Sequence, residues 1–248
     1  VQNQNLTTEA AMYQYHYQRP TPNLLFDIAQ GKMYDSEPVN IFGFNRAVGA
    51  AFETVWNDGD TYAFPSAALS MTIVSSSASD TMDVLVVGLD ANYNEVRQTV
   101  TLTGTGAVSI PTALYRINSA IILAGSNVGN ITIANGGVTY AFIEAELGTT
   151  QSCIYTVPAG YDLYLFRITA NSATATGSQY LFIRNAIRSS TGRWLKVAEA
   201  TFSQSQVNYD RQVPFKITEK NDFQFEAKSS ASTNEVSIFV EAVLVKRS

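Results

Sequence analysis

The chain has one cysteine and one histidine among 248 residues. A single cysteine, Cys153, excludes an intrachain disulfide. It precedes the strand-like run Ile154-Tyr-Thr-Val and reads as a small buried hydrophobe, at home in a reducing compartment. Two such residues are too few for a zinc site, which draws on several Cys or His ligands, and His16 stands alone as a catalytic imidazole. Charge is also scarce, at 15% against the usual quarter. The 16 basic and 21 acidic residues give a net charge of −5, which argues against a nucleic-acid partner, since that needs Lys and Arg to displace counterions. No apolar run approaches the roughly 20 residues of a membrane span. The opening Val1-Gln-Asn-Gln-Asn has neither the basic start nor the apolar stretch of a signal peptide. Helix signals are nearly missing, and without strands alternating with helices the pattern argues against a parallel α/β fold.

What is present is strand after strand. Ala68–Val74, Met82–Leu89, Val96–Leu102, Thr105–Ile110, Leu114–Leu123, Asn130–Ile133 and Val138–Ile143 are apolar or alternating runs broken by turn residues. Asp90-Ala-Asn-Tyr-Asn94 and Asn135-Gly-Gly137 predict hairpins. The same plan continues through Ile154–Val157, Leu163–Thr169, Tyr180–Arg184, Trp194–Phe202, Val213–Phe215, Asp222–Lys228 and Asn234–Val245. Short strands with turns every 8 to 12 residues are the pattern of a sandwich or jelly roll.

The second half also restates motifs of the first. Tyr62-Ala-Phe-Pro65 reads like Tyr155-Thr-Val-Pro158, and Ala141-Phe-Ile-Glu-Ala145 like Ile238-Phe-Val-Glu-Ala242, in one order and at nearly one spacing. The expectation is therefore an all-β protein of two tandem jelly-roll-like antiparallel β-sandwich modules, residues 48–149 and 150–248, behind an extended N-terminal arm, residues 1–47. In the arm Tyr13, Tyr15 and Tyr17 alternate with polar residues, Arg19-Pro20-Thr-Pro22 forbids helix, and Leu24, Leu25 and Phe26 supply apolar anchors. The arm is expected to pack on its own body or on a neighbouring subunit.

Chemistry-bearing patterns are thin. Asp90-x-Asn92-x-Asn94 opens like a calcium loop, but the sixth and twelfth positions hold Glu95 and Thr101 in place of Gly and Glu. Gly104-Thr-Gly106 and Asn127-Val-Gly-Asn130 lack the following helix of a phosphate cradle. Glu144, Glu146 and Glu241 could pair as in glycoside hydrolysis, yet Glu144 and Glu241 fall at equivalent repeat positions, which suggests a structural place. No catalytic residue, cofactor or metal is expected, and the chain is read as a protein that is not an enzyme. Aromatic residues read mostly as core. Trp56, beside a turn, is a candidate exposed ring, as is Tyr161. The loop from Ser189 to Arg193, with Trp194 after it, could present a glycan platform.

Four stretches, Glu53-Thr-Val-Trp-Asn57, Tyr62-x-Phe-Pro65, Gly125-Ser-Asn-Val-Gly-Asn-Ile-Thr132 and Ile154-Tyr-Thr-Val-Pro-Ala-Gly160, resemble a group of small virion-associated β-sandwich proteins of tailed bacteriophages, notably aquatic and cyanobacterial ones. The likeness covers roughly residues 42 to 248. It implies a structural virion component assembled in the host cytoplasm: a capsid decoration (cement) protein, with a tail, adaptor or fibre component and a glycan-binding attachment module as alternatives. The expected partners are the major capsid protein or other virion proteins, and further copies of the chain, with a closed ring such as a trimer favoured. The residues expected to make contacts are Tyr13, Tyr15, Tyr17, Leu24, Leu25, Phe26, Trp56 and Trp194.

Overall fold

The computed structural model describes residues 24–173, 180–189, 192–203, 206–230 and 233–247. A one-and-a-half-turn helix, α1 (Leu24–Ala29), precedes sixteen strands among these residues. The strands are β1 (Ser36–Val48), β2 (Glu53–Thr54), β3 (Thr72–Ser75), β4 (Asp83–Leu89), β5 (Glu95–Thr101), β6 (Val108–Ser109), β7 (Arg116–Ile122) and β8 (Ile131–Asn135). They continue with β9 (Val138–Ile143), β10 (Ile154–Thr156), β11 (Tyr161–Ala173), β12 (Leu181–Arg188), β13 (Trp194–Phe202), β14 (Gln206–Ile217), β15 (Asp222–Ser229) and β16 (Asn234–Lys246).

Four sheets form, with antiparallel pairing throughout. One has the order β1-β16-β11-β14 and a second β10-β15-β12-β13, with β2 beside β15. Their inner faces share one core, in which Val236, Ile238 and Val240 meet Leu181, Ile183, Phe223 and Phe225. The alternation that predicts strands also sets this face. In β1 the inward residues are Ile41, Gly43 and Asn45, and after a bulge Val48. In β11 the inward series Leu163, Leu165 slips to Ile168, Ala170 because a bulge at Leu165/Arg167 inserts one residue. The remaining two sheets, β6-β3-β8-β9 and β5-β4-β7, enclose a second core that includes Met71, Ile73, Val84, Val86, Leu114 and Ile131.

The predicted hairpins are where the turn residues place them. Asp90 accepts hydrogen bonds from the backbone of Asn92 (2.8 Å) and Asn94 (2.9 Å) between β4 and β5. Gly136 and Gly137 both have positive φ (59° and 83°) between β8 and β9, the conformation a two-residue hairpin requires.

The division of the chain differs from the expected one. The boundary at residue 47 falls inside β1, which pairs with β16 from Ser36↔Val245 to Val48↔Asn234. Residues 36–55 and the described residues between 153 and 247 together build the larger sandwich, and the smaller one is inserted between β2 and β10. The two modules are nested rather than consecutive. The chain leaves and re-enters side by side: Trp56 bridges Ser152, and Cys153 donates its backbone N–H to Val55 O at 2.8 Å. The repeated motifs are not equivalent in space. Tyr62–Pro65 lies outside any strand whereas Tyr155 is in β10, and Phe142 is in a strand paired only to β8 whereas Phe239 is in the doubly paired β16. Short aromatic-and-proline matches record what strand ends need locally, and that need recurs without a shared architecture.

Candidate interaction site

Of the residues expected to make contacts, Tyr13, Tyr15 and Tyr17 lie outside the described residues. Leu24 opens α1, and its neighbours Leu25 and Phe26 are each 49% exposed while Ile28 turns inward. Trp56 is not an exposed ring: only 4% of it is accessible. It sits in the core of the smaller sandwich, edge-on to Tyr62 at 5.1 Å, with its indole N–H donated to Asp60 O at 3.3 Å. The crossover between the two bodies places it there, because the chain turns inward immediately after β2. Trp194 is half-buried at the start of β13, edge-on to Phe64 at 5.2 Å and under the Arg188 guanidinium at 4.9 Å. Its ring is engaged at the junction of the sandwiches. Tyr161 is half-buried at the start of β11.

The junction is held by an ion cluster that sequence reading missed. Arg116 of β7 and Asp222 of β15 are both nearly inaccessible and meet through two contacts, Nε to Oδ1 at 2.7 Å and Nη2 to Oδ2 at 3.1 Å. Arg188 of β12 donates to the same Oδ2 at 2.6 Å, and the Thr156 hydroxyl donates to Oδ1 at 2.7 Å. Arg116 also donates Nη1 to the carbonyl oxygens of Pro65 (2.9 Å) and Tyr115 (2.7 Å) and lies 3.9 Å over the Tyr115 ring. Burial alone would lower the Arg116 pKa, but the hydrogen bond and charge of Asp222 outweigh it and raise the pKa. The one available signal was a lone arginine inside the apolar run Leu114–Leu123. A buried charge needs a partner, but nothing local names Asp222 as that partner.

The other chemistry-bearing residues are tied into structure. The Cys153 thiol is fully buried, burial pushes its pKa up, and it donates to Ile238 O at 3.2 Å. Glu144 pairs with Arg46 at 3.0 Å and Glu241 with Arg167 at 3.5 Å, so each carboxylate is drawn to its own arginine. The expected equivalence of the two glutamates is not observed, since one follows the end of β9 and the other lies within β16. Among the described residues no group of three or more His, Cys, Asp or Glu is placed to hold a metal ion.

Among the described residues, a cleft and a pair of sheet edges stand open to a partner. A cleft of about 400 Å³ separates the unpaired edge of β1, with Glu37 and Phe42, from the outer face of the β5-β4-β7 sheet, with Arg97 and Ile121. Phe42 and Ile121 are each 39% exposed in it. On the far side of the larger sandwich, β13 and β14 are the last strands of their sheets, and Leu195, Tyr209 and Val213 stand exposed on them.

No protein-family model matches the chain, and no curated protein matches it. Among solved structures, infectious bursal virus derived T=1 particles are similar at 10% identity over 86% of this chain and 74% of that one, with a TM-score of 0.22. The infectious bursal disease virus Gx strain structure is similar at 10% identity over 92% and 78%, with a TM-score of 0.24. Likenesses this faint carry no argument about the present fold or function.

Proposed function

We propose that this chain is a structural component of a virus particle, built as a jelly roll that carries a second β-sandwich. The observation that carries this reading is the strand order of the larger sandwich. Eight strand positions fall in a four-stranded sheet, β1-β16-β11-β14, and a five-stranded one, β10-β15-β12-β13, in which the short β2 and β10 both pair with β15 and share one position. Read along the chain, positions 1, 8, 3 and 6 form one sheet and 2, 7, 4 and 5 the other. That order matches the double Greek key of a jelly roll and supports the reading, since the architecture recurs in viral capsid proteins and lectins. The inserted body leaves at the β2–β10 junction and is fastened there by the Arg116–Asp222 pair, which suits a rigid projection from a shell-forming base. The action is mechanical: sheet edges and exposed apolar side chains dock on neighbours, and burial of that surface contributes about 25 cal/mol per Å² before association costs are subtracted.

Within that class, capsid decoration of a tailed bacteriophage is the first assignment, with the major capsid protein as partner and a trimeric or other closed ring of this chain as the unit. A tail, adaptor or fibre position is the alternative. A glycan-binding role is disfavoured by the tryptophans, since Trp56 is in a core and Trp194 is covered by Arg188 and Phe64. Negative-stain imaging of particles carrying a gold-labelled chain tests the assignment. Label dispersed over the shell supports decoration, label at a single vertex moves the protein to the tail, and particles that never incorporate the chain refute a virion role.

A further inference from the structure

The larger sandwich is not filled to its end. Between β13 and β14 the two sheets leave an opening of about 230 Å³. One sheet contributes Ile168 and Ala170 of β11, paired with Tyr209 and Val207 of β14. The other contributes Ile183 and Asn185 of β12, paired with Ala200 and Ala198 of β13, and Phe225 of β15. The two alanines explain the space, since they are too short to span the roughly 10 Å between stacked sheets. Protein interiors are otherwise close-packed, so an apolar void of this size forgoes a full side chain of contacts.

Two polar side chains in this apolar lining lack partners, one from each sheet. Asn185 is only 2% exposed, and its Oδ1 is sealed off without a hydrogen bond. Among the described residues its amide bonds at neither end, so Nδ2 is the end left to meet what enters. Arg211 shares a face of β14 with Val207 and Tyr209 and lines the same opening. Its Nε is buried without a hydrogen bond, and among the described residues no carboxylate pairs with its guanidinium. The guanidinium lies 5.0 Å from the Tyr209 ring centre and 4.9 Å from that of Phe215. Aromatic faces attract its charge but give its N–H donors no acceptor oxygen. The other charged residues at the opening are placed differently. Arg184 is bound to Glu226 at 2.5 Å, and Glu199 has the opposite parity to Ala198 and Ala200, so its side chain leaves by the outer face beside Arg184.

We infer that this opening is a binding site for a small monocarboxylate with an apolar body. The body fills the space between the sheets, and the carboxylate accepts from Arg211 and from Asn185 Nδ2. A carboxylate offers acceptors alone, so it answers a guanidinium and an amide N–H together, and the charged hydrogen bond is the stronger kind. Size sets the body. A cavity of about 150 Å³ accepts benzene, so 230 Å³ takes about nine carbons on the same scale: a phenyl ring with a short methylene chain. An alcohol of that shape leaves the Arg211 charge unanswered, and an amine is repelled by it. This inference goes beyond the virion reading and does not rest on it.

NMR titration of the full chain with 3-phenylpropanoate, 3-phenylpropan-1-ol and 3-phenylpropylamine at pH 7 tests it. The carboxylate is expected to bind at least tenfold more tightly than the alcohol, shifting the methyl signals of Ile168, Ile183 and Val207, and the amine is expected not to bind. Arg211→Gln, a change at a half-buried position, is expected to erase the preference for the carboxylate while the alcohol binds as before. Ala200→Phe, which fills the space, is expected to abolish binding of both. Because that variant could fail to fold, the methyl shifts locate the ligand independently. No binding of the carboxylate, equal affinity for carboxylate and alcohol, a preference that survives Arg211→Gln, shifts confined to other methyls, or binding retained by folded Ala200→Phe would each overturn the assignment.

Discussion

Asp222→Asn removes one charge from the junction of the two sandwiches and leaves two arginines facing each other. Arg116 is 3% exposed and Arg188 19%, so water screens the first hardly at all and the second only in part. Deleting one partner of a buried pair costs about 3–5 kcal/mol, because the remaining charge stays desolvated. Against a total stability of about 5–15 kcal/mol, that is a large share. With an m-value of about 2.5 kcal/mol/M in urea, the midpoint falls by about 1.2–2 M. Trp56 reports from the smaller core and Trp194 from the junction, so fluorescence follows both bodies. Replacing the whole group with apolar residues (Arg116→Met, Asp222→Leu, Arg188→Met) is expected to recover most of the loss, because no charge is then buried unpaired. An Asp222→Asn protein within about 1 kcal/mol of the unaltered chain would show that the cluster is solvated and that the fastening argument is wrong.

Gly43→Ala places a Cβ 2.4 Å from both Cys153 N and Val55 O, backbone atoms that cannot swing aside, so a loss of about 3 kcal/mol or more in thermal unfolding is expected, and a neutral result would contradict the close approach of β1 to the β2–β10 junction. Cys153 is expected to resist a maleimide in the folded protein and to react once urea unfolds it; stoichiometric labelling of the native chain within minutes would refute its burial. Burial alone would raise the Asp80 pKa, but the Ser75 hydroxyl and the N–H groups of Val128 and Gly129 outweigh it and hold the carboxyl below its ordinary value. Its stabilisation is therefore complete above the unfolded pKa near 3.9 and is lost as pH falls through the lower folded value. Asp80→Asn is expected to flatten the acid limb of the stability–pH curve, and an unchanged limb would count against that network.

Much of the local structure was legible before any coordinates. Val84 and Val86 in one strand, the Asp90–Asn94 turn and Gly136-Gly137 are all dictated within a few residues, by alternation, side-chain-to-backbone bonding and positive φ. The interaction site was less legible. Trp56 beside a turn looks exposed in a string of letters, yet the crossover buries it. Arg116 gave a hint by standing charged in an apolar run, while Asp222, 106 positions away, gave none.

The amino-acid order by itself determined that strands form, where most of them turn, and that no covalent staple holds them, because these depend on side-chain period and turn chemistry over short spans. Only the tertiary structure decided that Ser36–Val48 pairs with the last strand, that one sandwich is inserted in the other, and that Ala198 and Ala200 leave an opening above Asn185. Those outcomes rest on contacts between distant segments. A strand's own sequence states which face is apolar, but not which partner will cover its edge.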